Sequence, residues 1–211
     1  MEKIRTILHL LSQNKYNTDS SDIMEHLPTL YKYASECDSV FETGVRGCVS
    51  SWAFYYGLVN NRTTDTKKRM FLNDVAPCKI RELLEINEEF QVEIKYEWKN
   101  NLLLDLNDTY DITFIDTWHV YGQLKRELVK FATTTTKYII MHDTTVDEIY
   151  GESVRCKSDV RRQHIESGFP IEEITRGLWP AVVEFLEENP EWYIKERFTN
   201  NNGLTILARK E

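Results

Sequence analysis

The sequence predicts an α/β fold, a mostly parallel sheet with helices on both faces. Three observations predict it. Short apolar runs that favour strand alternate with segments of helical spacing along most of the chain. A glycine-containing turn joins the first of these runs to a helix. The chain closes on two strand-like runs separated by Asn200, Asn201, Asn202 and Gly203, which is the pattern of a β-hairpin.

Residues 2–13 carry Ile4, Ile7, Leu8 and Leu11 at helical spacing, and the polar cluster at 14–21 breaks that helix. Asp22 and Glu25 read as a capping box opening a second helix to about Ser35, which Pro28 makes start late or kink. The rest of the chain is arranged around the stretch 40–51, VFETGVRGCVSS. Val40 and Phe41 favour strand, Glu42 ends it, Gly44 and Gly47 lie three apart, and Ser50 and Ser51 lead into a helix over 52–58. Strand, glycine turn and helix form the first unit of a nucleotide-binding α/β domain. Glycine there allows a tight turn and the close approach of a ligand that a Cβ would block. The same turn also occurs for purely structural reasons. The pattern E-x-G-x-x-G lacks the dense glycines that seat a pyrophosphate, which disfavours a dinucleotide.

The second strand spans 69–72 and ends in Asn73 and Asp74. Asp74 either grips a ribose through both hydroxyls or merely starts the turn before Pro77. A helix over 78–86 turns Ile80, Leu83 and Leu84 inward. Val92, Ile94 and Tyr96 alternate as a third strand, followed by Trp98, Lys99, Asn100 and Asn101. The clearest buried strand is DITFID at 111–116, followed by Thr117, Trp118 and His119. A helix over 121–131 puts Leu124, Leu128 and Phe131 on one face. The threonines at 133–136 lead into the strand KYIIM at 137–141, which ends in His142 and Asp143. Tips of parallel strands converge on one sheet edge, so Glu42, Asp74, Asp116 and Asp143 are expected to share a cleft. Apolar periodicity loosens over 145–177, which reads as a mobile lid or substrate-facing insertion with one short helix. Pro180 at a first helical position precedes Val182, Val183, Phe185 and Leu186, and strands come next at 192–198 and 204–208.

A chain of 211 residues fits one domain. Within it, 1–37 supplies N-terminal helices, 38–144 the cofactor-binding core, 145–177 the lid and 178–211 the last helix and hairpin. A net charge of −8 repels a phosphate backbone, and the short pairs and triplets of basic residues do not override it, so nucleic acid is excluded as a partner. Cys37, Cys48, Cys78 and Cys156 form no C-x-x-C pair, which points to free thiols in a reducing, cytoplasmic compartment. No signal peptide, transmembrane helix or membrane partner is expected. The oligomeric state is left open, a homodimer included.

The sharpest chemical feature is D-x-x-H at Asp116 and His119, followed by His142 and Asp143. Two carboxylates at one cleft repel and call for a cation. A hard divalent ion such as Mg²⁺ takes carboxylate oxygens and leaves positions open. An imidazole of pKa ~6.5 cannot readily deprotonate a hydroxyl unaided, whereas a cation on that oxygen makes His119 a workable general base. A lone histidine is more often a cap or core residue, and it is the company of Asp116, His142 and Asp143 that favours chemistry for His119. His9, His26 and His164 lack such company and read as structural.

The glycine turn resembles motif I of the class I S-adenosylmethionine (SAM) methyltransferases. The whole arrangement, over roughly 39–208, resembles the metal-dependent macrolide-sugar and rhamnosyl O-methyltransferases and the cephalosporin-hydroxylase-like group. It is similar also to methyltransferase domains of large-virus glycan-synthesis proteins. The resemblance implies a Rossmann-like, seven-stranded, mostly parallel sheet with a C-terminal antiparallel hairpin, and transfer of a methyl group from SAM to a sugar hydroxyl. It places Glu42, Gly44, Gly47, Ser50, Asp74, Trp98, Asn100 and Asp116 at the cofactor, with Trp98 and Asn100 flanking the adenine unless Trp98 is a core aromatic. It places Asp116, His142 and Asp143 at a Mg²⁺ or Mn²⁺ ion, and His119 with Asp116 in the catalytic role. Two departures stand out: His142 occupies a position where those families often carry an acid, and threonines replace the glycine pair before the fifth strand. Two other readings compete. One is a non-catalytic module binding a glycan or protein through 145–177, and the other is a catechol-type O-methyltransferase.

Overall fold

Seven strands hydrogen-bond into one sheet in the order β3-β2-β1-β4-β5-β7-β6. They are β1 Ser39–Thr43, β2 Arg69–Asp74, β3 Glu93–Trp98, β4 Tyr110–Ile115, β5 Thr135–His142, β6 Trp192–Phe198 and β7 Leu204–Arg209. The first five are parallel, and β7 enters antiparallel between β5 and β6. The structure, a computed structural model, describes residues 22–210 except 62 and 91. The helix expected over 2–13, with His9, lies outside the described residues.

Alternation along the strands builds two cores. Val40, Met70, Leu72, Ile112, Phe114 and Ile140 face one side, where α1 Leu27–Ala34, α2 Val49–Asn60 and α3 Arg81–Asn87 pack. Phe41, Phe71, Ile115, Ile139 and Met141 face the other, where α4 Tyr121–Ala132 and α8 Trp179–Glu188 pack. Each fully buried Leu or Phe contributes roughly 1.5–3 kcal/mol, so these cores hold the strand tips in place. Among the described residues, no helix is long and apolar enough to cross a membrane.

Three local expectations are corrected. The capping box at Asp22 and Glu25 does not form: residues 24–26 make a single 3-10 turn, and α1 starts only at Leu27, with Pro28 in its first turn. Asp22 and Glu25 instead bind the turn of the β6–β7 hairpin, accepting from Asn202 and Asn200. Leu84 is exposed rather than inward, because α3 turns Leu83 into the core and packs Ile86 against it, which leaves Leu84 on the outer face. The segment 145–177 holds three short helices, not one: α5 Glu152–Arg155, α6 Val160–Ser167 and α7 Ile171–Thr175. A bridge between Tyr150 and Arg176 closes it on itself, and buried Asp147, Ser153 and Ile174, with backbone bonds from Tyr121 to Arg176 and from Glu152 to His119 at 2.9 Å each, tie it to the body.

The glycine turn works differently from the expectation. Gly44 has φ +93, and a Cβ there would lie 1.8 Å from the carbonyl oxygen of Asp116. The missing side chain makes room for the tip of β4, not for a ligand. Gly47 has no such need, with nothing nearer than 3.9 Å. Two further positive-φ positions of the turn fall on Arg46 and Cys48, at φ 44 and 59.

Candidate active site

The tips of β1, β2 and β4 open onto a cavity of about 450 Å³. Gly44, Asp74, Asn100 and Asp116 line it, with Arg46 and Trp118 among the other walls. The volume is in the range of small-molecule sites. Asp74 accepts the backbone N–H groups of Arg46 and Ala76 at 2.8 Å each, which fixes its carboxylate at the cavity wall. Thr43 donates to Asn73 at 2.9 Å, locking the β1 and β2 tips together.

Beneath the cavity lies a buried polar network. Glu127 of α4, 1% exposed, accepts from Thr117, Gln123 and Asn101, and Asn101 also donates to Thr43 at 3.0 Å. Burial pushes the Glu127 carboxyl up, and its three donors hold it back.

On the far side of Asp116, four ionisable side chains converge. His119 Nε2 lies 3.1 Å from Asp116 Oδ1 and 3.2 Å from Asp143 Oδ2. His142 Nδ1 lies 2.9 Å from Asp143 Oδ2 and 3.6 Å from Asp116 Oδ1. The other nitrogen of His119, Nδ1, faces Glu152 Oε2 at 2.9 Å and Asp147 Oδ2 at 3.4 Å. Asp147 is itself clamped by Arg155 through two bonds of 2.7 Å. Burial alone would lower the pKa of His119, but its hydrogen bond to Asp116 and the nearby carboxylates of Asp147, Glu152 and Asp143 outweigh it and hold it well above its ordinary value. Burial is likewise outweighed at His142, which Asp116 and Asp143 raise to about 10. The two histidines in turn hold Asp116 far below the usual carboxylate range, against its burial.

No protein-family model matches the chain, and no curated protein matches it in sequence. Solved structures do. The O-methyltransferase from Bacillus cereus in complex with SAH aligns with 100% of this chain and 91% of its own, at 12% identity and a TM-score of 0.55. The N-methyltransferase NodS from Bradyrhizobium japonicum aligns with 89% and 94%, at 13% identity and a TM-score of 0.53. The 1,6-didemethyltoxoflavin-N1-methyltransferase from Burkholderia thailandensis aligns with 99% and 87%, at 9% identity and a TM-score of 0.53. This is the class I methyltransferase fold. At such identities the likeness carries the fold alone, and the residues must carry the rest.

Within the methyltransferase fold the expected residues divide into three groups. Gly44, Asp74, Asn100 and Asp116 line the cavity. Asp116, His119, His142 and Asp143 meet around one point. Glu42, Gly47, Ser50 and Trp98 do not line the cavity. Glu42 is fully buried and takes the Ser50 hydroxyl, and Trp98 lies 64% exposed with its indole N–H on the Val75 carbonyl. Of the four acids expected in one cleft, two line it, Asp74 and Asp116; Asp116 is shared with the histidine group, Asp143 belongs to that group only, and Glu42 is buried.

Sequence reasoning missed Asn101, Gln123, Glu127, Asp147 and Glu152. A signal existed for one of them: Glu127 falls between Leu124 and Leu128 on the apolar face of α4, where a carboxylate is out of place unless bonded. His26 is also corrected. It is not without company, since its ring stands edge-on to His142 at 5.8 Å.

Proposed function

We propose that this protein is a SAM-dependent O-methyltransferase that acts on a sugar hydroxyl, with His119 as general base and a divalent ion held by Asp116, His142 and Asp143. One observation carries the reading: Asp116 belongs at once to the cavity beside Asp74 and to the histidine–carboxylate group.

The cavity suits SAM. Its wall offers the fixed Asp74 carboxylate for a pair of ribose hydroxyls, and Asn101 and Gln123, both bonded to Glu127, add polar groups to its lining. The histidine group suits a cation. Adjacent donors around an ion with bonds of ~2.1 Å are about 3 Å apart, and here His142 Nδ1 lies 2.9 Å from the Asp143 oxygen and 3.6 Å from that of Asp116. His142 Nδ1 is buried and makes no hydrogen bond among the described residues despite its two carboxylate neighbours. His142 Nε2 meets the carbonyl oxygen of Asn201 at 3.1 Å, the outer contact a ligating histidine needs. A nitrogen donor beside two carboxylates favours Mn²⁺ over Mg²⁺.

The same charges argue against His119 acting alone. Four carboxylates around it with no added cation favour the protonated ring, which has no lone pair to accept a proton. A divalent ion among those carboxylates would supply positive charge that frees the imidazole and stabilises a developing alkoxide. His119 Nε2 then takes the acceptor's hydroxyl proton as the new O–C bond forms. Bound SAM supplies the methyl group, whose C–S bond breaks to leave S-adenosylhomocysteine. Glu152 and Asp147, 2.9 and 3.4 Å from Nδ1, keep the proton of the neutral ring on that side and leave Nε2 as the acceptor, and Glu152, 31% exposed, gives the proton a route to solvent. The free cysteines among the described residues fit a reducing compartment, and the proposed location is cytoplasmic.

The test is calorimetric titration with SAM and Mn²⁺, followed by methyl transfer to a panel of deoxysugars and catechols. Binding of both and a gain of one methyl on a deoxysugar are expected. Neither heat with SAM nor transfer to any acceptor would end the reading. His119→Ala should cut turnover at least ~100-fold while both affinities persist. Loss of Mn²⁺ affinity in that variant would make His119 a metal ligand instead of the base.

A further inference from the structure

The turn of the β6–β7 hairpin reaches the histidine group from outside the cavity. Asn201 and Asn202 adopt left-handed backbone at φ 46 and 67, followed by Gly203 at φ 98. That run points the carbonyl oxygens of Asn200 and Asn201 toward two buried imidazoles. His142 Nε2 lies 3.1 Å from the Asn201 oxygen. His26 Nε2 lies 3.1 Å from the Asn200 oxygen and 3.3 Å from that of Asn201. Both rings are 1% exposed. The turn is gripped from a second side, where Thr145 and Val146 donate their N–H groups to the Asn202 oxygen at 2.9 Å each.

We infer that His26 is a positioning residue for the proposed metal ligand His142, acting through the shared carbonyl of Asn201. The inference rests on the metal reading above. A carbonyl oxygen only accepts, and it has two lone pairs. One takes the Nε2–H of His142, which leaves Nδ1 free on the side of Asp116 and Asp143. The other is within reach of the Nε2–H of His26, which also spans to Asn200 and so pins the orientation of the carbonyl. Asn200 and Asn201 side chains bind Glu25 at 2.6 and 3.1 Å, so the residue before His26 is anchored to the same turn. The segment leading into α1 and the hairpin therefore form one bracket behind His142.

The test measures Co²⁺ affinity and the Co²⁺ absorption spectrum of the whole protein, with circular dichroism as a check on folding. His26→Phe should weaken Co²⁺ binding about tenfold, the low end for loss of an outer-shell partner, and shift the visible bands. His26→Gln, whose amide nitrogen reaches the Nε2 position, should restore both. His26→Asn is too short and should resemble His26→Phe. Wild-type affinity and spectrum in His26→Phe would overturn the inference. If His26→Phe does not fold, equal affinities for His26→Asn and His26→Gln would overturn it. A wild-type protein that binds neither Co²⁺ nor Mn²⁺ shows instead that the metal reading itself has failed, and the inference falls with it.

Discussion

Glu42, one residue before the end of β1, has no exposed surface, and its carboxyl is held in an unusual state. The Ser50 hydroxyl donates to Oε1, while Oε2 has no hydrogen-bond partner among the described residues. Burial pushes its pKa from 4.5 up to about 8, against the pull of the Ser50 and Ser51 hydroxyls. Proton counting gives the sign of the consequence. At a pH below the unfolded value both states are neutral and nothing is lost. Between the two values the folded protein keeps a proton that the unfolded chain has released, so stability falls as pH rises. Above the folded value the loss is complete and constant. The slope is about 1.36 kcal/mol per pH unit, so wild type loses about 3 kcal/mol from this group between about pH 5 and pH 7.5. Glu42→Gln cannot titrate. The difference in unfolding free energy, variant minus wild type, should therefore rise by about 3 kcal/mol over that interval, whatever its value at about pH 5. Urea unfolding of both proteins at the two pH values measures it, and contributions from other groups cancel in the difference. A difference constant within about 0.5 kcal/mol, the ordinary error of additive comparison, would refute the argument. It would show that Glu42 is ionised in the folded protein. The outcome bears on function, since a neutral Glu42 lacks the negative charge that a motif carboxylate is expected to offer.

The fold was legible because its signals are local. DITFID and KYIIM read as strands from composition, and both lie at the centre of the sheet, as β4 and β5. The hairpin was legible from four consecutive turn residues. Asp116, His119, His142 and Asp143 stood out because each comes closely after an apolar strand, and parallel strands bring their tips together whatever lies between. The features that stayed hidden depend on partners far away in sequence. Gly44 reads as a ligand-binding glycine, but the atom filling its space is a carbonyl of residue 116. Asp147 and Glu152 sit in a segment without periodicity, so no pattern marks the short turns that aim them at His119. His26 is the clearest case. Nothing near it in sequence distinguishes it, and its partner is a carbonyl in a turn 174 residues downstream. The misread capping box has the same origin, because Asp22 and Glu25 found stronger partners in that turn than in their own backbone.

Asp74→Ala removes the proposed ribose grip, and loss of hydrogen bonds to a charged acceptor amounts to about 2 kcal/mol. The dissociation constant for S-adenosylhomocysteine, read by calorimetry, should rise about 30-fold, and an unchanged constant would mean that Asp74 only braces the Arg46 and Ala76 amides. Gly44→Ala tests the link between the two halves of the site. A Cβ 1.8 Å from the Asp116 carbonyl cannot be accommodated by side-chain motion, since the obstructing atom is backbone. At φ +93 the alanine is strained even before that clash. One of the two strand tips must move, and the bond from Asp116 N–H to the Thr43 carbonyl at 3.0 Å opens with it. The expected loss of stability is at least about 3 kcal/mol, measured by urea unfolding. Because Asp116 belongs to both cavity and histidine group, SAM and Mn²⁺ affinities should fall together in any fraction that still folds. A stable Gly44→Ala protein with both affinities intact would mean that the β1 and β4 tips are not in contact, and the shared position of Asp116 on which the functional reading rests would be lost.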